Sequence, residues 1–213
     1  MLIVIPLFDR FTALDAVGPF QVLVGLPDAT TVFAADRPGP VTDNTGVLAL
    51  TAGAAFADVP RPDIIVVPGG PGEVGHRTDG PLHDWLVAAD RTSAWTTSVC
   101  TGSLILAGAG LLDGRRATTN WMAMDELARL GAVPTAERYV FDGKYATAAG
   151  VSAGIDMALA LAGRIGGDEL GRRLQLGIEY DPQPPYQAGS PATAPAEIVA
   201  ELRAGSRFAP AQA

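Results

Sequence analysis

The sequence contains one cysteine, Cys100, in 213 residues. A single cysteine excludes a disulfide framework within the chain, and a free thiol suits a reducing compartment, so a cytoplasmic setting is expected. Histidine is almost as scarce. His76 and His83 are the only two, they stand at no familiar zinc spacing, and no metal site is expected. Positive charge is also short: 15 Lys and Arg face 23 Asp and Glu, a net −8. Without a basic stripe to neutralise phosphates, nucleic acid is not an expected partner. No apolar run approaches the length a bilayer demands, and Met1-Leu2-Ile3-Val4-Ile5-Pro6 lacks the basic start of a signal peptide, so no membrane partner is expected. There is no internal repeat. What the chain does have is a core: 48 % of it is hydrophobic and only 18 % charged, the balance of one globular domain. A single domain over residues 1–205 with a frayed tail over 206–213 is expected.

The cysteine lies in the most informative stretch, Trp95-Thr96-Thr97-Ser98-Val99-Cys100-Thr101-Gly102-Ser103. Trp95–Val99 is β-branched, aromatic and small, which predicts a short buried strand. Leu104–Leu112 is rich in Ala and Leu, which predicts a helix. Cys100 thus falls at a strand-to-helix junction, with Gly102 permitting a sharp turn, in the manner of a nucleophile elbow. The positive end of the following helix would favour a thiolate. A lone cysteine is most often a small buried hydrophobe; its place at the C-terminal end of a strand, where open α/β sheets put their sites, points to chemistry.

Around it the chain alternates. Leu2–Phe8 reads as a strand buried on both faces. Ala13–Leu26 has a helical pattern broken early by Gly18-Pro19, with Thr12 as a cap and Asp15 in the place of a capping-box acid. Strands are predicted over Thr31–Ala35 and Asp63–Val67, a hairpin or edge strand around Val47–Leu50, and two or three short strands within Ala132–Ala148. Helices are predicted over Pro81–Ala89, Trp121–Leu130, Ser152–Arg164, Asp168–Leu176 with Asp168 as N-cap, and Ala196–Arg203. Glu179–Pro195, rich in Pro, Gly and Ser, is irregular. Such alternation predicts an α/β fold with a mostly parallel sheet covered on both faces.

Three segments follow strands and could meet at one sheet edge: Asp15, Gly69-Gly70 and Cys100. A Gly-Gly pair exposes backbone N–H groups as an oxyanion hole requires, or simply makes a tight turn; no G-x-x-x-x-G-K-S/T run follows it, so a P-loop is excluded. Asp15 either caps its helix at the surface or, given its apolar flanks Ala13, Leu14, Ala16 and Val17, points into a pocket. His76 and His83 read as exposed loop or helix residues.

The runs Leu14-Asp15-Ala16-Val17-Gly18-Pro19, Val67-Pro68-Gly69-Gly70-Pro71-Gly72 and Ser98-Val99-Cys100-Thr101-Gly102-Ser103 resemble the ThiJ/PfpI superfamily. With Leu111–Thr119 and Gln175–Pro195 added, the resemblance narrows to the isocyanide hydratase branch and covers nearly the whole chain. It implies a flavodoxin-like sheet of the class I glutamine amidotransferase type, with Cys100 as nucleophile and Asp15 as the carboxylate beside it. It further implies oxyanion donors at the amides of Gly70 and Thr101, and a homodimer. Gly69 and Val151 are expected beside the substrate. Thr101 stands where the protease-like branch has His, so no peptidase triad is expected; Asn120 stands where the hydratase pattern has His, and Ala149 within a glycine-rich stretch. The activity implied is cofactor-free hydration of a small isocyanide. A glyoxalase or deglycase, and a ligand-sensing domain, are the alternatives; a sensor is expected to continue into a helix-turn-helix module, for which the residues after the last helix leave no room.

Overall fold

The computed structural model describes residues 1–209. Its strands are β1 (Leu2–Pro6), β2 (Thr30–Ala35), β3 (Gly39–Thr42), β4 (Ala49–Ala52), β5 (Ala54–Ala55), β6 (Ile64–Val67), β7 (Trp95–Val99), β8 (Arg116–Ala117), β9 (Val133–Pro134), β10 (Tyr139–Asp142) and β11 (Tyr145–Ala148). Its helices are α1 (Ala13–Leu23), α2 (Pro81–Asp90), α3 (Gly102–Gly108), α4 (Met124–Arg129), α5 (Ala153–Gly166), α6 (Asp168–Gly177) and α7 (Ala196–Ala204). Seven strands form one sheet in the order β10-β11-β7-β6-β1-β2-β5. Every pairing in it is parallel except β10 with β11. β1 and β6 are apolar throughout and, Leu2 apart, fully buried, as strands covered on both faces must be.

From β1 the chain crosses to β2 on one side, and from β6 to β7 on the other. Right-handed crossovers in opposite directions put α1 and α2 on opposite faces of the sheet. They also create a switch point between β1 and β6, where the loops leaving the two strands diverge and a crevice opens. The register aligns Val67 with Ser98 and Val99 with Ala148, so β6, β7 and β11 end side by side at this crevice. This is the flavodoxin-like architecture expected.

Some local expectations need correction. α1 is not broken at Gly18-Pro19: Pro19 sits inside a continuous helix, and Gly18 is where Ile155 of α5 packs against it. The cap and capping box do not form, because the Thr12 hydroxyl makes no capping bond and the Asp15 side chain turns inward. α3 begins at Gly102 and ends at Gly108, two residues earlier at its start than predicted and four earlier at its end. The segment from Trp121 opens with a 3₁₀ turn, and the α-helix begins only at Met124. Asp168 is the first residue of α6; its N-cap is Gly167, at φ +88°. The Val47–Leu50 patch belongs to a separate β3–β4 hairpin, while Ala54–Ala55 supplies the sheet's edge.

Candidate active site

Cys100 follows β7 directly, with φ +57°. A non-glycine residue in the left-handed region is strained, and here backbone contacts hold it. Its N–H donates to Ala148 O at 3.0 Å. Its carbonyl accepts from the hydroxyls of Thr119 (3.0 Å) and Ser103 (3.1 Å). The turn into α3 brings Gly102 against β6: a Cβ there would lie 2.2 Å from Val67 O. No side chain fits, so the glycine is required by close approach rather than by its own φ. The elbow is therefore real, with the strain at Cys100 itself.

Asp15 is fully buried on α1. One carboxyl oxygen, Oδ2, accepts the Gly69 N–H at 3.0 Å; the other, Oδ1, has no conventional partner, and the Cys100 thiol is the donor that faces the carboxyl. An unpaired buried oxygen is uncommon, and Thr31 Oγ1 and Ser98 Oγ are the others among the described residues. Burial is the main influence on this carboxyl and raises it to about 7, against the smaller opposing effect of its hydrogen bonds. Burial raises the Cys100 thiol as well, and the negative charge of Asp15 raises it further. The Thr101 amide, the Asn120 side chain and the Thr101 hydroxyl all face the sulfur and oppose that rise, but are outweighed. Desolvation thus works against the thiolate that the helix dipole favours. α3 is only seven residues long and its end cannot offset full desolvation.

The glycine loop departs from expectation in a useful way. Gly70 adopts φ +132°, and a Cβ there would lie 2.5 Å from Arg10 O, so the loop after β1 packs directly on it. Its N–H does not point freely at the reacting centre but donates to Thr101 Oγ1 at 3.0 Å. The two expected oxyanion donors are therefore not equivalent: the Thr101 amide faces the sulfur, whereas the Gly70 amide is already engaged. Gly69 uses its N–H to hold Asp15 and does not line the cavity.

Cys100 opens into a cavity of about 320 Å³. Gly70, Thr101 and Val151 are on its wall as predicted, and so is Asn120. Asn120 caps the 3₁₀ turn through Oδ1, which accepts the Met122 N–H at 3.0 Å, leaving its amide nitrogen toward the sulfur. The wall also includes Thr12, Met122 and the segment Ser206–Phe208, none of which the sequence suggested; only contact across the fold reveals them. Of the tail expected to fray, Ser206–Phe208 lie against the cavity, and 210–213 fall outside the described residues. Neither histidine lines it: the His76 ring packs on Phe8 at 5.0 Å, and His83 lies beside Asp84 on α2. Among the described residues, no cluster of His, Cys, Asp and Glu is arranged to hold a metal ion, and no helix is long and apolar enough to cross a membrane.

Residues 1–164 match the model of the DJ-1/PfpI family. The chain belongs to that family. Among the family's proteins, the isonitrile hydratase of Pseudomonas putida is 44 % identical over 197 residues, 92 % of this chain and 86 % of the relative. The HTH-type transcriptional regulator CdhR of Pseudomonas aeruginosa is 35 % identical over 143 residues, 65 % of this chain but only 41 % of that protein. In three dimensions, a ThiJ/PfpI family protein from Pseudomonas syringae superposes with a TM-score of 0.92 at 35 % identity, over 95 % of this chain and 84 % of the other. Oxidised DJ-1 from Toxoplasma gondii gives 0.74 at 22 % identity, over 85 % and 99 %, a likeness of fold alone.

Proposed function

We propose that the protein is an enzyme that hydrates isocyanides to N-substituted formamides, with Cys100 as nucleophile and Asp15 as the group that moves the protons. The observation that carries this reading is the facing pair of thiol and buried carboxyl, with one carboxyl oxygen left free. The 44 % identity to an isonitrile hydratase supports the substrate class.

The steps balance with one isocyanide and one water. The ionised Asp15 takes the thiol proton as sulfur attacks the terminal carbon of R–N≡C. Asp15 then delivers that proton to the same carbon, giving the thioimidate R–N=CH–S on Cys100. Water adds to the carbon as Asp15 accepts one of its protons and passes that proton to the nitrogen, which leaves Asp15 ionised again. The resulting R–NH–CH(OH)–S collapses to R–NH–CHO, and the thiol is restored. Every atom of the product comes from the two reactants, so the stoichiometry calls for no cofactor, and the addition places the enzyme among the lyases.

The engaged Gly70 amide supports the same reading. Attack on an α-oxoaldehyde, the glyoxalase alternative, builds negative charge on oxygen and relies on a full oxyanion hole. Attack on an isocyanide builds it on carbon, which needs a proton instead. Val151 and Met122 offer an apolar surface to the R group. Purified protein is to be incubated with an aryl isocyanide and, separately, with methylglyoxal, and products followed by mass spectrometry. Formamide from the first is expected; turnover of methylglyoxal alone would overturn the reading. A cytoplasmic homodimer is proposed as the working form, on the strength of the free thiol and the Glu179–Pro195 segment.

A further inference from the structure

The cavity at Cys100 has a neighbour. A second cavity of about 480 Å³ is lined by Val74, Arg77, Asp125, Glu126 and Arg129, and shares Arg207 and Phe208 with the first. These two side chains are the partition between them. The chemistry differs on the two sides: Met122 and Val151 lie on the Cys100 side, two arginines and two carboxylates on the other.

The partition is anchored with care. Glu73 is completely buried. Arg77, four residues on, grips it with Nε at 2.5 Å and Nη2 at 2.7 Å, enough to neutralise a buried carboxylate. A second guanidinium nevertheless reaches the same group: Arg207 Nη2 donates to Glu73 Oε1 at 2.6 Å, from 134 residues away. Arg207 Nη1 also donates to Pro71 O at 3.3 Å, beside the glycine loop. The guanidinium lies 4.5 Å from the centre of the Phe208 ring, and the Phe208 N–H donates to Ser206 Oγ at 3.1 Å. Arg77 also pairs with Glu126 through Nη1 at 2.5 Å, so Arg207 is a second cation on Glu73, and the same guanidinium packs on Phe208.

We propose that Phe208 is a specificity-determining wall of the Cys100 pocket, held in position by the Arg207–Glu73 ion pair. It confines the R group of the substrate to a compact apolar space and stops a longer one from entering the charged cavity behind. The identity of the substrate rests on the isocyanide reading above; the wall is met by any reagent that reaches Cys100.

The test therefore uses two kinds of probe. Wild type, Phe208→Ala and Arg207→Met are each treated with iodoacetamide and with a bulky N-naphthyl iodoacetamide, and the rate of Cys100 modification is read by intact mass. In parallel, kcat/KM is measured for a compact alkyl and an extended aralkyl isocyanide. Phe208→Ala is expected to raise the large-to-small ratio by at least about tenfold in both series, the scale of a size-based pocket discrimination. Arg207→Met is expected to shift it the same way by less. An unchanged ratio in Phe208→Ala, or a thiol that no variant opens to the larger reagent, overturns the wall. An Arg207→Met protein with the wild-type ratio overturns the positioning role. If isocyanides are not turned over at all, the hydratase reading fails while the alkylation ratio still reports on the wall.

Discussion

The Gly69 amide and the Asp15 carboxylate meet across 3.0 Å, joining residues 54 apart in the chain at the switch point of the sheet. This bond holds Asp15 by one oxygen and leaves the other without a partner. It places a carboxyl group from the first turn of α1 beside Cys100.

Cys100→Ala is expected to abolish isocyanide turnover and to leave the fold in place, since the elbow is held by backbone contacts that alanine keeps. Loss of both turnover and any substrate-derived mass adduct, with an unchanged circular dichroism spectrum, checks this. Undiminished turnover rejects the covalent route.

Asp15→Asn keeps an oxygen to accept the Gly69 amide but cannot carry the proton. General acid–base groups typically contribute about 10²–10⁴-fold, so kcat should fall by at least about a hundredfold. Asp15→Glu should lie between the two, because its extra methylene displaces a competent carboxyl. Steady-state kinetics decides. A wild-type rate in Asp15→Asn would remove Asp15 from the mechanism.

The raised carboxyl gives two pH signatures. Burial pushes the Asp15 carboxyl up from its ordinary 3.8 to about 7 in the folded state. Between these values the folded protein holds a proton that the unfolded chain has released, so this group lowers stability as pH rises from 3.8 to about 7. Asp15→Asn removes that loss: its melting temperature should match wild type near pH 4 and exceed it above pH 7, at roughly 2–4 °C per kcal/mol. Activity runs the opposite way. The carboxylate must be free to take the thiol proton, so kcat/KM should rise with pH through about 7. Thermal melts and pH–rate profiles of the two proteins settle both signs.

Gly102→Ala should destabilise the protein by about 2 kcal/mol or more, because the new methyl would collide with the Val67 carbonyl of a buried strand. Urea titration measures it. An unchanged midpoint would show that α3 can move off the sheet.

The proposed homodimer is testable by light scattering. Residues 181–192 are exposed along their whole length in one chain, and Leu176 and Tyr186 are more than three-quarters exposed beside and within that stretch. A second copy would cover such a surface. A mass near twice 21.9 kDa is expected at micromolar concentration; a monomer mass rejects the dimer.

The elements with a strong local signal were legible. The buried strands β1 and β6 follow from unbroken apolar runs, Trp95–Val99 from its β-branched and aromatic residues, and the strand-to-helix place of Cys100 from the segments on either side of it. The misreadings have physical causes. Pro19 lies within α1 because packing against α5 outweighs the missing N–H. Sequence shows the helix that follows a cysteine but not how completely the sulfur is desolvated. Nothing local in the sequence reveals that the Thr101 hydroxyl accepts the Gly70 amide. Arg207 and Phe208 were invisible as site residues because their contacts span more than a hundred residues.

The backbone bonds that pin Cys100 bear on how such a site could change over evolutionary time. Its amide and carbonyl are tied to Ala148, Thr119 and Ser103, and only the last two ties depend on a side chain. The rim facing it is built from Met122, Val151 and Phe208, contributed by three separate segments. Substitutions on that rim can be sampled one at a time while the nucleophile stays where it is. Under the proposed function, reaction and selectivity thus rest on different parts of the chain, so that a change at the rim is expected to alter which substrate is taken and not what is done to it.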